Sequence, residues 1–132
     1  MIIRHFPLAV EQANLYIVVD EATRDGVLVD AGEFSAEAVD FIRSNGVKLR
    51  AIFITHSHYD HNGAVGEYVK AFAPDAVYGG SPGCAGPRTR VVHDGDDVVA
   101  GSLRARALSV TGHTSDQVML YFPDAKAVFT GD

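Results

Sequence analysis

The chain has 132 residues, of which 47% are apolar and 21% are charged, as in a single soluble globular domain large enough to bury a core. Its formal net charge of -6 opposes sequence-independent binding to nucleic acid, which requires a basic surface. No stretch approaches the roughly 18 to 20 consecutive apolar residues of a membrane span, and residues 1–12 lack the basic and apolar regions of a signal peptide.

Strands and helices alternate through the first half of the chain. The strands are runs rich in β-branched and aliphatic residues, and a polar turn ending in Gly26 joins the first two as a hairpin. Ser35 before the first helix and Gly46 just past it are typical start and stop residues. The predicted strands cover residues 14–20, 27–30, 48–55 and 76–78, and the predicted helices cover residues 36–45 and 63–73.

Strands dominate the second half of the chain. Residues 81–88 (SPGCAGPR) contain two prolines and two glycines and are predicted to form a loop. Residues 102–110 alternate between apolar and polar side chains for much of their length, which favours a half-buried strand. Residues 117–122 and 127–130 are two more strands, joined by the turn PDAK. This order predicts an α/β layered fold with a mixed or antiparallel sheet.

The stretch ITHSHYDHNG places three histidines and an aspartate in six consecutive positions after a buried strand. Alternate residues of extended backbone point the same way, so His56 and His58 are expected to converge. Asp60 and His61 share a target only if the chain turns after His58, which the following Asn-Gly pair permits. Imidazole and carboxylate ligands without thiolate favour zinc, iron or manganese. We interpret the cluster as two neighbouring sets of metal ligands.

A pair of metals explains why two ligand sets would lie side by side. Metals roughly 3.5 to 4 Å apart can hold a hydroxide between them and polarise a carbonyl or phosphoryl oxygen. Such binding lowers the pKa of water to about 7, which provides a nucleophile at neutral pH. The downstream candidates to complete the site are His113, in a loop after a strand, and Asp132, at the end of a strand.

Four other residues are interpreted without a role in the chemistry. His5 and His93 stand alone and are read as surface or core histidines. Cys84 has no neighbouring ligand residues and is predicted to be a bystander thiol. As a lone cysteine it excludes an intrachain disulfide and fits a cytoplasmic location. The ring of Tyr59, inside the cluster, is expected to pack rather than react.

The motifs resemble, in order and spacing, those of the metallo-β-lactamase superfamily. THSHYDH matches its HxHxDH motif, TGHTSDQVMLYF resembles its second histidine segment, AVFTGD its bridging-aspartate segment and LVDAG its early strand and turn. Within the superfamily the likeness is to the glyoxalase II (hydroxyacylglutathione hydrolase) family, although persulfide dioxygenases share nearly the same motifs. The resemblance implies an αββα sandwich, of which residues 1–132 would be a single domain holding only the first βα half and ending after the bridging-aspartate strand.

The resemblance also implies a role for each candidate ligand. The six ligands fall into three groups: His56, His58 and His113 for the first metal, Asp60 and His61 for the second, and Asp132 bridging both. The metals would be two zinc ions, with iron or manganese as alternatives. A metal-bound hydroxide would attack a thioester carbonyl, and Asp60 would orient it as a catalytic residue. Ser115-Asp116 stands where many relatives have Pro-Gly or Ser-Gly, a departure expected to alter only the turn.

Two other functions stay open at the level of sequence. In a mononuclear iron persulfide dioxygenase, His56, His113 and Asp132 would form a two-histidine, one-carboxylate triad. A metal-binding half-domain that serves binding or assembly without turnover is the other alternative. A nuclease is disfavoured by the acidic composition. The expected partners are a small-molecule thioester or related substrate and a second copy of the chain in a homodimer, with neither nucleic acid nor membrane.

Overall fold

The structure is a computed structural model that describes residues 1–110 and 114–131. In this part of the chain, ten strands form two sheets and three α-helices lie beside them. The strands are β1 (Ile2–Pro7), β2 (Asn14–Val19), β3 (Asp25–Val29), β4 (Lys48–Phe53), β5 (Ala76–Gly79), β6 (Thr89–Val91), β7 (Asp97–Ala100), β8 (Leu103–Ser109), β9 (Val118–Phe122) and β10 (Ala127–Phe129). The helices are α1 (Ala36–Ser44), α2 (Tyr59–Asn62) and α3 (Val65–Phe72).

The first sheet is mixed and has the order β1-β2-β3-β4-β5-β6. Strands β1, β2 and β3 pair antiparallel, as the predicted hairpin requires, and β3 through β6 pair in parallel. Parallel neighbours need long crossover connections, which α1 supplies between β3 and β4 and α3 between β4 and β5. The second sheet, β10-β9-β8-β7, is antiparallel throughout.

Successive residues of the mixed sheet point into two different cores. On β2, Ile17 faces the core shared with the helices, whereas Val18 faces the core between the two sheets. Phe41 and Ile42 of α1 fill the first core, and Leu120 of β9 fills the second. The described residues therefore form three layers, namely helices, mixed sheet and antiparallel sheet. This arrangement confirms the predicted fold class and corresponds to the αββ part of the sandwich.

Helix α1 begins and ends as the sequence predicts. The Ser35 hydroxyl accepts a hydrogen bond from the amide of Ala38 at 3.2 Å, which satisfies one of the donors at the helix start. Gly46 has a φ of 61°, a left-handed conformation that suits glycine just past a helix. Neither α1 nor any other helix of residues 1–110 and 114–131 has the length and apolar character to cross a membrane.

Several elements were not predicted from the sequence. Strands β1, β6 and β7 and helix α2 all lie in stretches that were assigned no regular structure. The predicted loop over residues 81–88 contains two short 3-10 turns, Pro82–Cys84 and Gly86–Arg88. The remaining strands and helices are confirmed, with ends that differ by at most two residues.

Candidate metal centre

The histidine cluster lies just past the carboxyl end of β4, in the middle of the mixed sheet. His58 caps the start of α2, and the amides of His61 and Asn62 bond to its carbonyl at 2.9 and 3.1 Å. The turn predicted after His58 is therefore a short helix. This helix brings Asp60 and His61 back towards His56.

The structure brings four of the six predicted ligands together. The ring centroid of His56 lies 4.9 Å from that of His58 and 4.1 Å from that of His61. Asp60 Oδ2 lies 3.3 Å from His61 Nε2. His56 and His61 are buried, Asp60 is half-buried and His58 is exposed. The cluster thus runs from the interior to the surface.

The other two predicted ligands, His113 and Asp132, lie outside the described residues. Within residues 1–110 and 114–131, no three side chains of His, Cys, Asp or Glu are placed as a complete metal site. On either side of residues 111–116, the Val110 amide donates a hydrogen bond of 3.0 Å to the Gln117 carbonyl.

Asp30 is a buried carboxylate that orients His61. It follows β3 and has a φ of 64°, an uncommon left-handed conformation for a residue other than glycine. His61 Nδ1 lies 2.7 Å from Asp30 Oδ2, so the ring donates its Nδ1 proton to the carboxylate. Metal-binding histidines are commonly held in this way by a carboxylate behind the ring.

Thr55 extends the same network to His56. Its hydroxyl donates to Asp30 Oδ2 at 2.8 Å, and its amide donates to Asp30 Oδ1 at 2.8 Å. Because the single hydroxyl proton goes to Asp30, the 3.0 Å contact with His56 Nδ1 must be a bond that the ring donates. Both buried imidazoles therefore donate through Nδ1, and Nε2 is the nitrogen through which each ring would coordinate a metal.

Gly32 lets the turn after β3 pack directly against α2. A Cβ atom at Gly32 would collide with the backbone carbonyl of Asp60. The amide of Ala64 bonds to the carbonyl of Ala31 at 2.8 Å, which holds the two segments together just beyond the helix. The LVDAG motif was recognised in the sequence, but the parts of Asp30 and Gly32 in the site were not foreseen from it.

A cavity of about 780 Å³ opens over the cluster. Its walls come from α2, the connection between β1 and β2, and the end of β10. Tyr59 lines this cavity with 61% of its surface exposed, so the prediction that its ring packs is wrong. The Tyr59 hydroxyl donates to Glu11 Oε1 at 2.7 Å, and this bond raises the pKa of Tyr59 above its usual value.

Of the residues interpreted without a role in the chemistry, His5, Cys84 and His93 are not among those that line the cavity. His93 is exposed on the loop before β7. His5 lies on β1, where its Nε2 is 2.6 Å from Asn14 Oδ1. Cys84 is buried, and burial raises the pKa of its thiol, which disfavours the reactive thiolate.

The imidazole and carboxylate donors fit zinc, iron or manganese. Both buried rings are oriented through Nδ1, and an exposed histidine and a half-buried carboxylate lie beside them. The arrangement can hold positive charge at the floor of an open cavity, where a small molecule would meet it.

Comparisons with known proteins agree with this geometry. The family model described as the metallo-beta-lactamase superfamily matches residues 8–132. A hydroxyacylglutathione hydrolase of Gloeobacter violaceus is 35% identical over 130 residues, which are 94% of this chain and 50% of the relative. The crystal structure of ETHE1 from Myxococcus xanthus superposes with a TM-score of 0.85 at 30% identity, over 98% of this chain and 56% of that one.

A further similar structure was crystallised in a di-iron-bound form, and it superposes with a TM-score of 0.75 at 27% identity over 96% of this chain and 70% of that one. The chain spans about half the length of the curated relatives it matches.

Proposed function

The chain belongs to the metallo-beta-lactamase superfamily, and from this premise we propose that it supplies the metal-binding half of a metallohydrolase that cleaves thioesters. The observation that carries the proposal is the grouping of His56, His58, Asp60 and His61 at an open cavity, which the last three of them line. The thioester is supported by the 35% identity to a protein whose name, hydroxyacylglutathione hydrolase, denotes a thioester substrate.

The proposed ligand roles follow the order of the motifs. His56, His58 and His113 would hold the first metal, Asp60 and His61 would belong to the second, and Asp132 would be shared by both. When bound, the metals, which we propose to be zinc, supply a water-derived nucleophile at neutral pH and polarise the substrate carbonyl.

The chain's own residues prepare the site for this chemistry. Asp30 and Thr55 hold the two buried imidazoles with their Nε2 atoms as the coordinating nitrogens. Asp60, whose Oδ2 lies 3.3 Å from His61 Nε2, would accept a proton from an attacking water and orient it towards the substrate. Tyr59 and Glu11, at the wall of the cavity, would contact the substrate.

A mononuclear iron dioxygenase is the second candidate function. The likeness of the motifs to persulfide dioxygenases supports it, and the similar structure in a di-iron-bound form supports iron as the metal. His56, His113 and Asp132 would then be the three ligands, and the metal would be one iron rather than two zinc ions.

Metal analysis combined with a thioester assay tests the proposal on the protein as its gene encodes it. We expect bound zinc and hydrolysis of an acylglutathione above the buffer rate, and we expect His56→Ala to abolish both. His93→Ala, a change of an exposed histidine away from the cluster, is the matched control. One bound iron without thioester hydrolysis would favour the dioxygenase, and bound zinc without turnover would favour a binding domain.

A further inference from the structure

Asn62, the last residue of α2, joins this helix to the loop that follows β5. Its Nδ2 donates hydrogen bonds to the carbonyls of Gly83 at 3.2 Å and Cys84 at 3.1 Å. A side-chain amide has two N–H donors, so both of them go to the backbone of one 3-10 turn, Pro82–Cys84. The sequence indicated only that the Asn-Gly pair permits a turn. The side chain in fact links a helix that carries two candidate ligands to a distant part of the chain.

Helix α2 depends on such contacts because it has only four residues. A single helical turn fixes several backbone dihedral angles in exchange for few internal hydrogen bonds, so it is not stable by itself. The turn after β3 supplies one contact, where Gly32 packs against the carbonyl of Asp60. Asn62 supplies a second contact, directly next to His61. Two separate segments of the chain therefore hold the helix.

The 3-10 turn that receives these bonds is itself anchored. The Cys84 side chain is buried in the core that the mixed sheet shares with the helices. The Gly83 amide donates to the Ser81 hydroxyl at 3.1 Å, and that hydroxyl donates to Asp116 Oδ2 at 2.6 Å. Asp116, which was expected to alter only its own turn, thus also anchors this one. A bond from Asn62 to this turn therefore ties α2 to a fixed support.

The same turn packs against the loop that carries the first two histidines of the cluster. A Cβ atom added at Gly83 would lie 3.3 Å from the Cβ atom of Ser57, which lies between these histidines. Their segment is also tied to β9, because the amide of Val118 donates to the carbonyl of Thr55 at 2.8 Å. The turn after β5 therefore contacts both parts of the cluster, the first by packing and the second by hydrogen bonds from α2.

The chemistry of the link requires the amide of asparagine. Both atoms that face Asn62 Nδ2 are carbonyl oxygens, which only accept hydrogen bonds. An aspartate has the same shape, but it would present oxygen to these carbonyls and repel them. A leucine has similar branching and would leave both carbonyls without this donor. Either substitution removes the link while it approximately keeps the size of the side chain.

We propose that Asn62 is a positioning residue, which clamps α2 to the 3-10 turn after β5 and so keeps Asp60 and His61 beside the first two histidines. It is not among the residues that line the cavity, so it acts through the backbone of α2. The inference rests on the proposed metal site, but its effect on the helix is measurable in the metal-free protein.

The first test measures hydrogen exchange in the metal-free protein. The His61 amide bonds to the His58 carbonyl within α2 at 2.9 Å, so its exchange rate reports whether the helix is held in place. We expect Asn62→Leu to accelerate this exchange by about tenfold, while exchange at the Val39 amide in α1 stays unchanged. Asn62→Asp should accelerate it as well, because the donors are lost although the shape is kept. Unchanged exchange at His61, or equal acceleration at Val39, would overturn the proposal.

Asn45→Leu is the matched control for this substitution. Asn45 also caps a helix end, and its Nδ2 donates to the carbonyl of Phe41 at 2.9 Å. Helix α1 ends where β4 begins, at the edge of the sheet opposite to the histidine cluster. We expect Asn45→Leu to lower the stability measured by urea unfolding without changing exchange at His61. Equal acceleration at His61 in both leucine variants would show that general destabilisation, rather than loss of the clamp, loosens α2.

The second test uses metal ions alone. We expect Asn62→Leu to weaken zinc binding by about tenfold in a chelator competition and to change the visible spectrum of the cobalt-substituted protein, since Asp60 and His61 shift. Asn45→Leu should match the parent in both measurements. A cobalt spectrum of Asn62→Leu identical to that of the parent would refute the positioning role, because a purely structural residue alters stability without altering the geometry of the folded site.

The two tests separate this inference from the proposed function. If the parent protein binds neither zinc nor cobalt, the proposed metal site is refuted, whereas exchange at His61 still decides whether Asn62 holds α2. If the parent binds metal and exchange at His61 is the same in Asn62→Leu, the metal site stands and Asn62 is not its positioning residue.

Discussion

The carboxylate of Asp30 serves two histidines at once, one directly and one through Thr55. His61 is 31 positions away in sequence, and the two residues meet only because β3 and β4 are parallel neighbours. The four clustered candidate ligands could be predicted from the sequence because they lie in one contiguous motif, namely His56, His58, Asp60 and His61. The role of Asp30 could not be predicted, because it depends on strand pairing. The roles of His113 and Asp132 stay predictions.

Replacing Asp30 tests how strongly this network orients the histidines. Asp30→Ala leaves the Nδ1 proton of His61 and the amide of Thr55 buried without their acceptor. We expect zinc affinity to fall by about 10- to 100-fold. Chelator competition measures the affinity, and urea unfolding of the metal-free protein measures the accompanying loss of stability. Affinity equal to that of the parent would show that the rings are oriented by other contacts.

The short helix α2 carries two of the candidate ligands and depends on the turn that faces it. Four residues are too few for a periodic apolar pattern, so the sequence indicated only a turn at this place. Strand β1 was missed for a different reason. Its residues Arg4 and His5 interrupt the apolar run, and the strand is defined by its full-length pairing with β2. Such pairing overrides local preference.

Gly32→Ala should displace α2, because the added methyl group would occupy the position of the Asp60 carbonyl. We expect a loss of about 1 to 3 kcal/mol in the free energy of unfolding, as for other overpacked sites, together with weaker zinc binding. Urea unfolding and chelator competition measure the two effects.

Gly66→Ala in α3 is the matched control for this substitution. Its added Cβ would come no closer than 3.8 Å to Arg88 Nη1, and alanine is the better helix former. We expect it to leave zinc binding unchanged and not to lower stability. If both alanine variants behave alike, close contact at Gly32 is not what positions the helix.

Asp25, at the start of β3, connects the two sheets. It lies at the end of the mixed sheet opposite to the carboxyl ends of β3 and β4. Asp25 Oδ1 lies 2.7 Å from Arg50 Nε, and its Oδ2 accepts from the Ser102 amide at 2.9 Å in the turn between β7 and β8. The bond from Arg50 is the main reason that the pKa of Asp25 falls from 3.8 to about 2. Neither the ion pair nor the link to Ser102 is visible in local sequence patterns.

The lowered pKa gives the stability of the protein a defined dependence on pH. A carboxyl group with a lowered pKa in the folded state stabilises that state above pH about 4, and the contribution disappears as the pH falls towards 2. Arg50 is 37% exposed, so screening by solvent reduces the contribution to about 1 kcal/mol. Asp25→Asn should therefore destabilise at pH 7 and approach the parent near pH 2, as measured by urea unfolding. A constant difference across this range would contradict the assignment.

The expected homodimer stays a prediction for the whole molecule. Val99 and Val128 of the antiparallel sheet are exposed by 44% and 49%, whereas Arg104 and Arg106 of β8 add charge to the same sheet. Sedimentation over a range of protein concentrations measures whether the chain forms a dimer. A monomer at all concentrations would refute the predicted homodimer.

The bond between Val118 and Thr55 joins residues 63 positions apart in sequence. Contacts between distant parts of a chain are slow to form, because the connecting loops must close first. The cluster of histidines is continuous in sequence, yet its buried rings are held by Asp30 and Thr55, which meet only once β3 and β4 have paired. An incompletely folded chain therefore presents histidines but no ordered site, and tight metal binding becomes a property of the fully folded protein alone.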